Sequence, residues 1–171
     1  FEEAADAFTE AARLRPDHPA TYLGRARAAR ALGNAPAALY DIDNVLTIDP
    51  ANVEALTMRA AILRAMNRRE EALADCDRGL GADPQSWRLH NNRGVLLDEM
   101  GRTEEALACF ERSLKINPNN PDAFQNLGTA LVVLGRGGEA VAKFDDTLRR
   151  SPDDVDILNC KGAVQVALRA F

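Results

Sequence analysis

A proline recurs every 34 residues along this 171-residue chain, at Pro16, Pro50, Pro84, Pro118 and Pro152. No other feature restricts the fold as much, because a fixed period of this length marks a stack of like supersecondary units. Other residue types keep the same period. An alanine stands at Ala4, Ala38, Ala72, Ala106 and Ala140, and four residues after each comes Phe8, Ile42, Cys76, Phe110 or Phe144. Small residues hold a further phase at Ala26, Ala60, Gly94, Gly128 and Gly162, and helix-stopping types hold another at Gly33, Asn67, Gly101 and Gly135.

Each phase has a physical role in a helix–turn–helix unit. Two residues after the prolines stand His18, Asn52, Ser86, Asn120 and Asp154, and four of these five types cap helix N-termini well. Pro19 and Pro121 follow at the first helical position, where a missing N–H costs nothing. The first helix then ends at Gly33, Asn67, Gly101 or Gly135, types that tolerate a left-handed conformation. Acidic residues such as Glu70, Glu71, Glu104, Glu105 and Glu139 lead a second helix at its positive dipole end, and the periodic proline ends it. The small phase lets the two helices approach, and Leu63, Leu97, Leu131, Phe110 and Phe144 fill the space between them.

These residues resemble the tetratricopeptide repeat family, whose pattern is W-x2-L-G-x2-Y, then A-x3-F, then P. The best unit reads Phe124, Leu127, Gly128, Leu131, Ala140, Phe144, Pro152. The resemblance divides the chain into a second helix at 1–18, complete units at 19–52, 53–86, 87–120 and 121–154, and a first helix at 155–171. It implies an all-α, right-handed superhelical solenoid of antiparallel helix pairs, with the first helices lining a concave groove. Where the pattern has Leu, this chain carries Arg25, Arg59, Arg93 and Lys161, with Leu127 alone conforming. These read as long stems on the apolar surface with their charges in solvent. Starting and stopping inside repeats is what a fragment of a longer protein would do. Phe1, Phe8, Val164, Leu168 and Phe171 leave the end helices without a polar cap.

Composition narrows the function. Lys and Arg total 21 against 26 Asp and Glu, a net charge of -5, which argues against a nucleic-acid partner. No run of eighteen apolar residues would span a membrane, and no charged-then-apolar leader stands at the start. Three cysteines (Cys76, Cys109, Cys160) and two histidines (His18, His90) show no metal-ligand or disulfide spacing, so the thiols read as structural and the compartment as reducing, hence cytoplasmic. The glycines at Gly135, Gly137 and Gly138 follow no strand and precede no Lys-Ser or Lys-Thr, unlike a phosphate loop. No nucleophile with a base and an orienting acid emerges. The chain reads as a non-enzyme without cofactor or metal. Trp87 reads as a packing residue, His90 as a core or semi-buried histidine, and the run Arg68–Glu71 as a solvated turn.

The groove stripe is the face offset from the packing face of each first helix. In the first unit it reads Ala20, Leu23, Gly24, Arg27, Arg30, and in the second it includes Glu54, Met58 and Arg64. Amides gather further on, at Asn91, Asn92, Gln125, Asn126 and Asn159. An amide offers a donor and an acceptor that match an extended peptide backbone, and the arrangement is similar to the asparagine ladder with which some family members hold peptides. Val95, Val132 and Val133 add shallow apolar pockets, and Thr129 stands on the same stripe. Arg27, Arg30, Arg64 and Arg88 against Asp98, Glu99, Asp122 and Asp156 would orient a ligand with its basic part toward the later repeats. The Lys and Asn set that the family uses to clamp chaperone tails does not match. The expected function is therefore a scaffold binding an extended protein segment in the groove. The alternatives are a regulatory or substrate-recruiting arm of a larger enzyme, and a self-assembly module joined through its uncapped ends.

Overall fold

A computed structural model describes residues 1–169; Ala170 and Phe171, the latter one of the expected uncapped apolar residues, lie outside the described residues. Among these residues the chain is entirely helical, and its contacts fall into two compact units, Phe1–Pro84 and a second from Gln85 onward. The first holds α1 (Glu2–Leu14), α2 (Pro19–Ala31), α3 (Ala35–Ile48), α4 (Val53–Ala65) and α5 (Arg69–Ala82). The second holds α6 (Trp87–Glu99), α7 (Thr103–Ile116), α8 (Pro121–Val133), α9 (Gly137–Arg150) and α10 (Val155–Arg169). No described helix is long and apolar enough to cross a membrane.

The punctuation acts as the residue types dictate. Gly33, Asn67, Gly101 and Gly135 all take positive φ, between 62° and 77°. At each stop the next residue donates back to the same helix, as Arg136 N–H does to Leu131 C=O at 2.7 Å, which satisfies carbonyls the helix end leaves bare. Asn52 caps α4 by accepting from Ala55 N–H at 3.0 Å, and Asp154 accepts from Ile157 N–H at 3.1 Å. Among the second helices, α3 is capped in the same way by Asn34, but α5, α7 and α9 start differently. Arg68, Arg102 and Arg136 occupy the N-cap positions of α5, α7 and α9 without a side-chain cap bond. Each guanidinium instead grips the glutamate three residues on, Glu71, Glu105 or Glu139, through paired bonds of 2.7–2.9 Å. That contact holds all three carboxyls below the usual carboxylate range.

Inside each helix pair, volumes are matched across a sixteen-residue offset. Gly94 faces Phe110 and Gly128 faces Phe144; a Cβ on either glycine would lie 2.5 or 2.9 Å from the ring. Both phenylalanines are almost wholly buried. Where the second-helix residue is smaller, as at Ile42 and Cys76, the small-phase position carries Ala26 and Ala60, which are also buried.

A second set of contacts at the same offset corrects one expectation. Arg25 makes a bidentate pair with Asp41 at 2.8 and 2.6 Å, and Arg59 does the same with Asp75 at 2.7 and 2.6 Å. Arg59 also reaches back to Asp43 at 2.7 Å, and Lys161 to Asp145 at 2.6 Å. Asp41 and Asp75 are only 2% and 1% exposed. These cations are therefore not stems ending in solvent. A carboxylate this deep needs an ionised partner, and the arginine from the facing helix supplies it. In α6 the equivalent Arg93 donates to Cys109 Sγ at 3.1 Å, the thiol standing where the earlier units have aspartate. In the fourth repeat Leu127 is buried, and the cation has moved to Lys143, which bonds Glu111 at 2.8 Å.

Candidate functional site

The first helices of the second unit, α6, α8 and α10, lie side by side, with α8 touching both of the others. Their common face carries the amides singled out from sequence. Asn126 Nδ2 donates to Asn91 Oδ1 at 3.2 Å, so α6 and α8 are joined by a side-chain rung. Asn91, Asn92 and Asn126 are half-buried, as are Val95 and Asp98.

Between α8 and α10 the same face opens into a trough of about 550 Å³. Gln125 and Thr129 of α8 line it with Asn159 and Cys160 of α10. Toward the helix starts it carries Asp122 and Asp156, and toward the helix ends Val132, Val133, Ala163 and Ala167. Carboxylates, amides and apolar side chains thus follow one another along the trough. Thr129 spends its hydroxyl proton on Gln125 C=O at 3.0 Å within α8. Burial, helped by the Asp156 and Asp154 carboxylates, pushes the Cys160 thiol above its ordinary range.

The trough brings together Asp122, Gln125, Thr129 and Asn159 from the sequence-derived set, with Val132, Val133 and Asp156 from the same stripes; Asn91, Asn92, Asn126 and Val95 do not line it. Arg88 does not line the trough, and its guanidinium stacks 4.4 Å from the centre of the Trp87 ring. Trp87 is half-buried, and its carbonyl accepts from the buried hydroxyl of Ser113 at 2.9 Å. His90 is half-buried as well.

In the first unit, Arg27 forms an ion pair with Glu54, so part of the charge expected to face a ligand is neutralised between α2 and α4. Arg30 lines a smaller depression with Ala61, Ile62 and Met66, and Arg64 is exposed. Leu23 and Gly24, placed on the ligand stripe by spacing, are buried. The Phe8 ring fills that ground: a Cβ on Gly24 would lie 2.4 Å from it. The stripe of α2 is therefore interrupted at Gly24, where α1 lays its aromatic residue against it, while Ala20 before it is exposed. No group of His, Cys, Asp or Glu among the described residues could hold a metal ion.

Models of the tetratricopeptide repeat match residues 87–120, 109–142 and 1–53. No curated protein matches the chain in sequence. Among solved structures the chain is similar to PilW, a type IV pilus biogenesis factor, with 26% identity over 98% of this chain and 78% of that one and a TM-score of 0.82. It is similar to MamA from Desulfovibrio magneticus RS-1, with 24% identity over 90% and 88% of the two chains and a TM-score of 0.78. It is also similar to YrrB, a TPR protein with an unusual peptide-binding site, at 22% identity over 97% and 86% and a TM-score of 0.75.

Proposed function

The chain belongs to the tetratricopeptide repeat family, and on that premise we propose that it is an interaction scaffold holding an extended segment of a partner protein on the first-helix face of its second unit. The observation that carries this reading is the order of chemistry along the α8–α10 trough, from Asp122 and Asp156, past Gln125 and Asn159, to Val132, Val133 and Ala167. A basic side chain suits the first end, the backbone N–H and C=O of the ligand suit the amides, and an aliphatic side chain suits the last. The likeness to YrrB supports a peptide ligand, since that protein carries a peptide-binding site.

Helix geometry sets the spacing of the ligand. From Asp122 to Val132 the helix rises roughly 15 Å at 1.5 Å per residue, which an extended peptide spans in about five residues. Each amide contact contributes about 0.5–1.5 kcal/mol, so the two ends must supply most of a micromolar affinity of roughly -8 kcal/mol.

Cys160 lines the trough and reports its occupancy. A labelled peptide with Arg and Leu about five residues apart is expected to bind and to slow alkylation of Cys160. Exchanging its Arg for Glu, or introducing Asp122→Lys with Asp156→Lys, is expected to abolish both effects. Equal binding of the Arg and Glu peptides would overturn the proposal.

A further inference from the structure

The second-helix side of the same unit carries a larger depression, about 880 Å³, running between α7 and α9. Its apolar lining comes from Leu114, Pro118 and Phe124, of which Phe124 is buried and Pro118 exposed. Lys115, Lys143, Arg149 and Arg150 stand on its walls, against two carboxylates, Glu111 and Asp146. Glu111 is already paired with Lys143 at 2.8 Å, and Asp146 with Arg149 at 2.6 Å and Arg150 at 3.3 Å. The walls are thus net positive on a chain whose total charge is -5.

This basic character is not something the repeat requires. Lys115 and Arg149 stand one period apart and Arg13 of α1 shares their phase, yet that phase holds Thr47 in α3 and Gly81 in α5. A cation near a helix C-terminus favours the helix dipole, but α3 and α5 end without any basic residue in their last turns. The cations of the α7–α9 pair therefore belong to these helices and not to the repeat as such.

We propose that the α7–α9 trough is a second docking surface, which takes an acidic segment of a partner protein that also carries an aliphatic side chain. Acidic side chains pair with Lys115 and the Arg149–Arg150 edge, and the aliphatic one lies on Leu114 and Pro118. With most of the attraction at exposed cations, binding falls as salt screens it.

Fluorescence anisotropy with a short labelled peptide built of Glu and Leu tests this directly. Binding is expected, and Lys115→Glu with Arg149→Glu is expected to weaken it about tenfold or more at low salt. The neutral pair Lys115→Gln with Arg149→Gln gives the same direction and serves if the reversed variant melts early. Asp122→Lys, on the other face, is expected to leave this affinity unchanged. A peptide of Glu and Ser, or a single-stranded oligonucleotide, binding as tightly as the Glu and Leu peptide would overturn the proposal, since the trough would then be attracting any polyanion. Undiminished binding by both charge variants would overturn it too.

Discussion

Asn126 donates its side-chain amide to the side-chain oxygen of Asn91 across 3.2 Å, tying α6 to α8. The rung takes one donor and one acceptor away from any ladder offered to a ligand. It also makes the two asparagines partners in stability. Because the bond is partly buried, Asn126→Ala is expected to cost about 1 kcal/mol. In a double-mutant cycle with Asn91→Ala, the combined loss should fall below the sum of the two single losses. Urea unfolding of the four proteins measures it, and strict additivity would mean the bond contributes nothing.

The buried aspartates give a larger effect. Asp75→Ala removes the bidentate partner of Arg59 and leaves a guanidinium partly desolvated, at a cost of about 2–4 kcal/mol. Replacing both residues by leucine should cost less, because the fourth repeat already packs Leu127 at the arginine position. Chemical denaturation of the two variants ranks them, and a double variant weaker than Asp75→Ala would contradict this account.

At Cys109 the same logic reverses the usual expectation. A carboxylate placed at a core cysteine ordinarily destabilises by several kcal/mol. Arg93, however, already points a guanidinium N–H at that position, 3.1 Å from the sulfur. Cys109→Asp is therefore expected to change stability by less than about 1 kcal/mol. A melting temperature far below that of wild type would show that Arg93 cannot swing onto a carboxylate there.

Two glycines in equivalent phases should respond in opposite ways to alanine. At Gly94 the added methyl would meet the Phe110 ring at 2.5 Å, and that ring is 1% exposed with no room to retreat. Gly94→Ala is expected to lower stability by about 1–3 kcal/mol. At Gly162 nothing lies within 4 Å of the new atom, so the helix preference for alanine is expected to add up to about 1 kcal/mol. Thermal melts of the pair decide it.

Acid should weaken the starts of the second helices. Glu71, Glu105 and Glu139 are held below the ordinary carboxylate range by Arg68, Arg102 and Arg136. A carboxyl depressed in the folded state binds protons more readily in the unfolded one, so its contribution is complete above the unfolded pKa of about 4.3 and fades as pH falls below it. The three groups are exposed, so the effect is small. The melting difference between wild type and a variant with all three changed to Gln should be present at neutral pH and shrink in acid. A pH-independent difference would assign the effect to something other than ionisation.

Much of this fold was legible because its signals are periodic. Proline, the positive-φ stops and the Ala–Phe phase each recur, so one misread residue is outvoted by its equivalents. The arginines show what periodicity alone hides. Arg25 with Asp41 and Arg59 with Asp75 repeat at a single offset in the sequence, but only the pairing of two helices reveals that this offset makes them neighbours. The Asp122, Gln125 and Asn159 trough followed from the stripe of exposed positions. Whether two amides on adjacent helices turn outward or bond each other depends on distances of an ångström, and no spacing encodes that for Asn91 and Asn126. The basic trough between α7 and α9 has no signature of its own kind, because Thr47 and Gly81 break the series of cations that Arg13, Lys115 and Arg149 would otherwise form.

The pairing of Gly94 with Phe110 and of Gly128 with Phe144, against alanine facing Ile42 and Cys76, also limits how such a chain can be rearranged. A helix pair can be duplicated or exchanged whole, since lock and key move together. A crossover inside the turn would set alanine against phenylalanine, or glycine against cysteine, and leave a clash or a hole. For these matches the seams that keep lock and key together fall between helix pairs, whereas the Phe8–Gly24 contact ties α1 to α2 across such a seam.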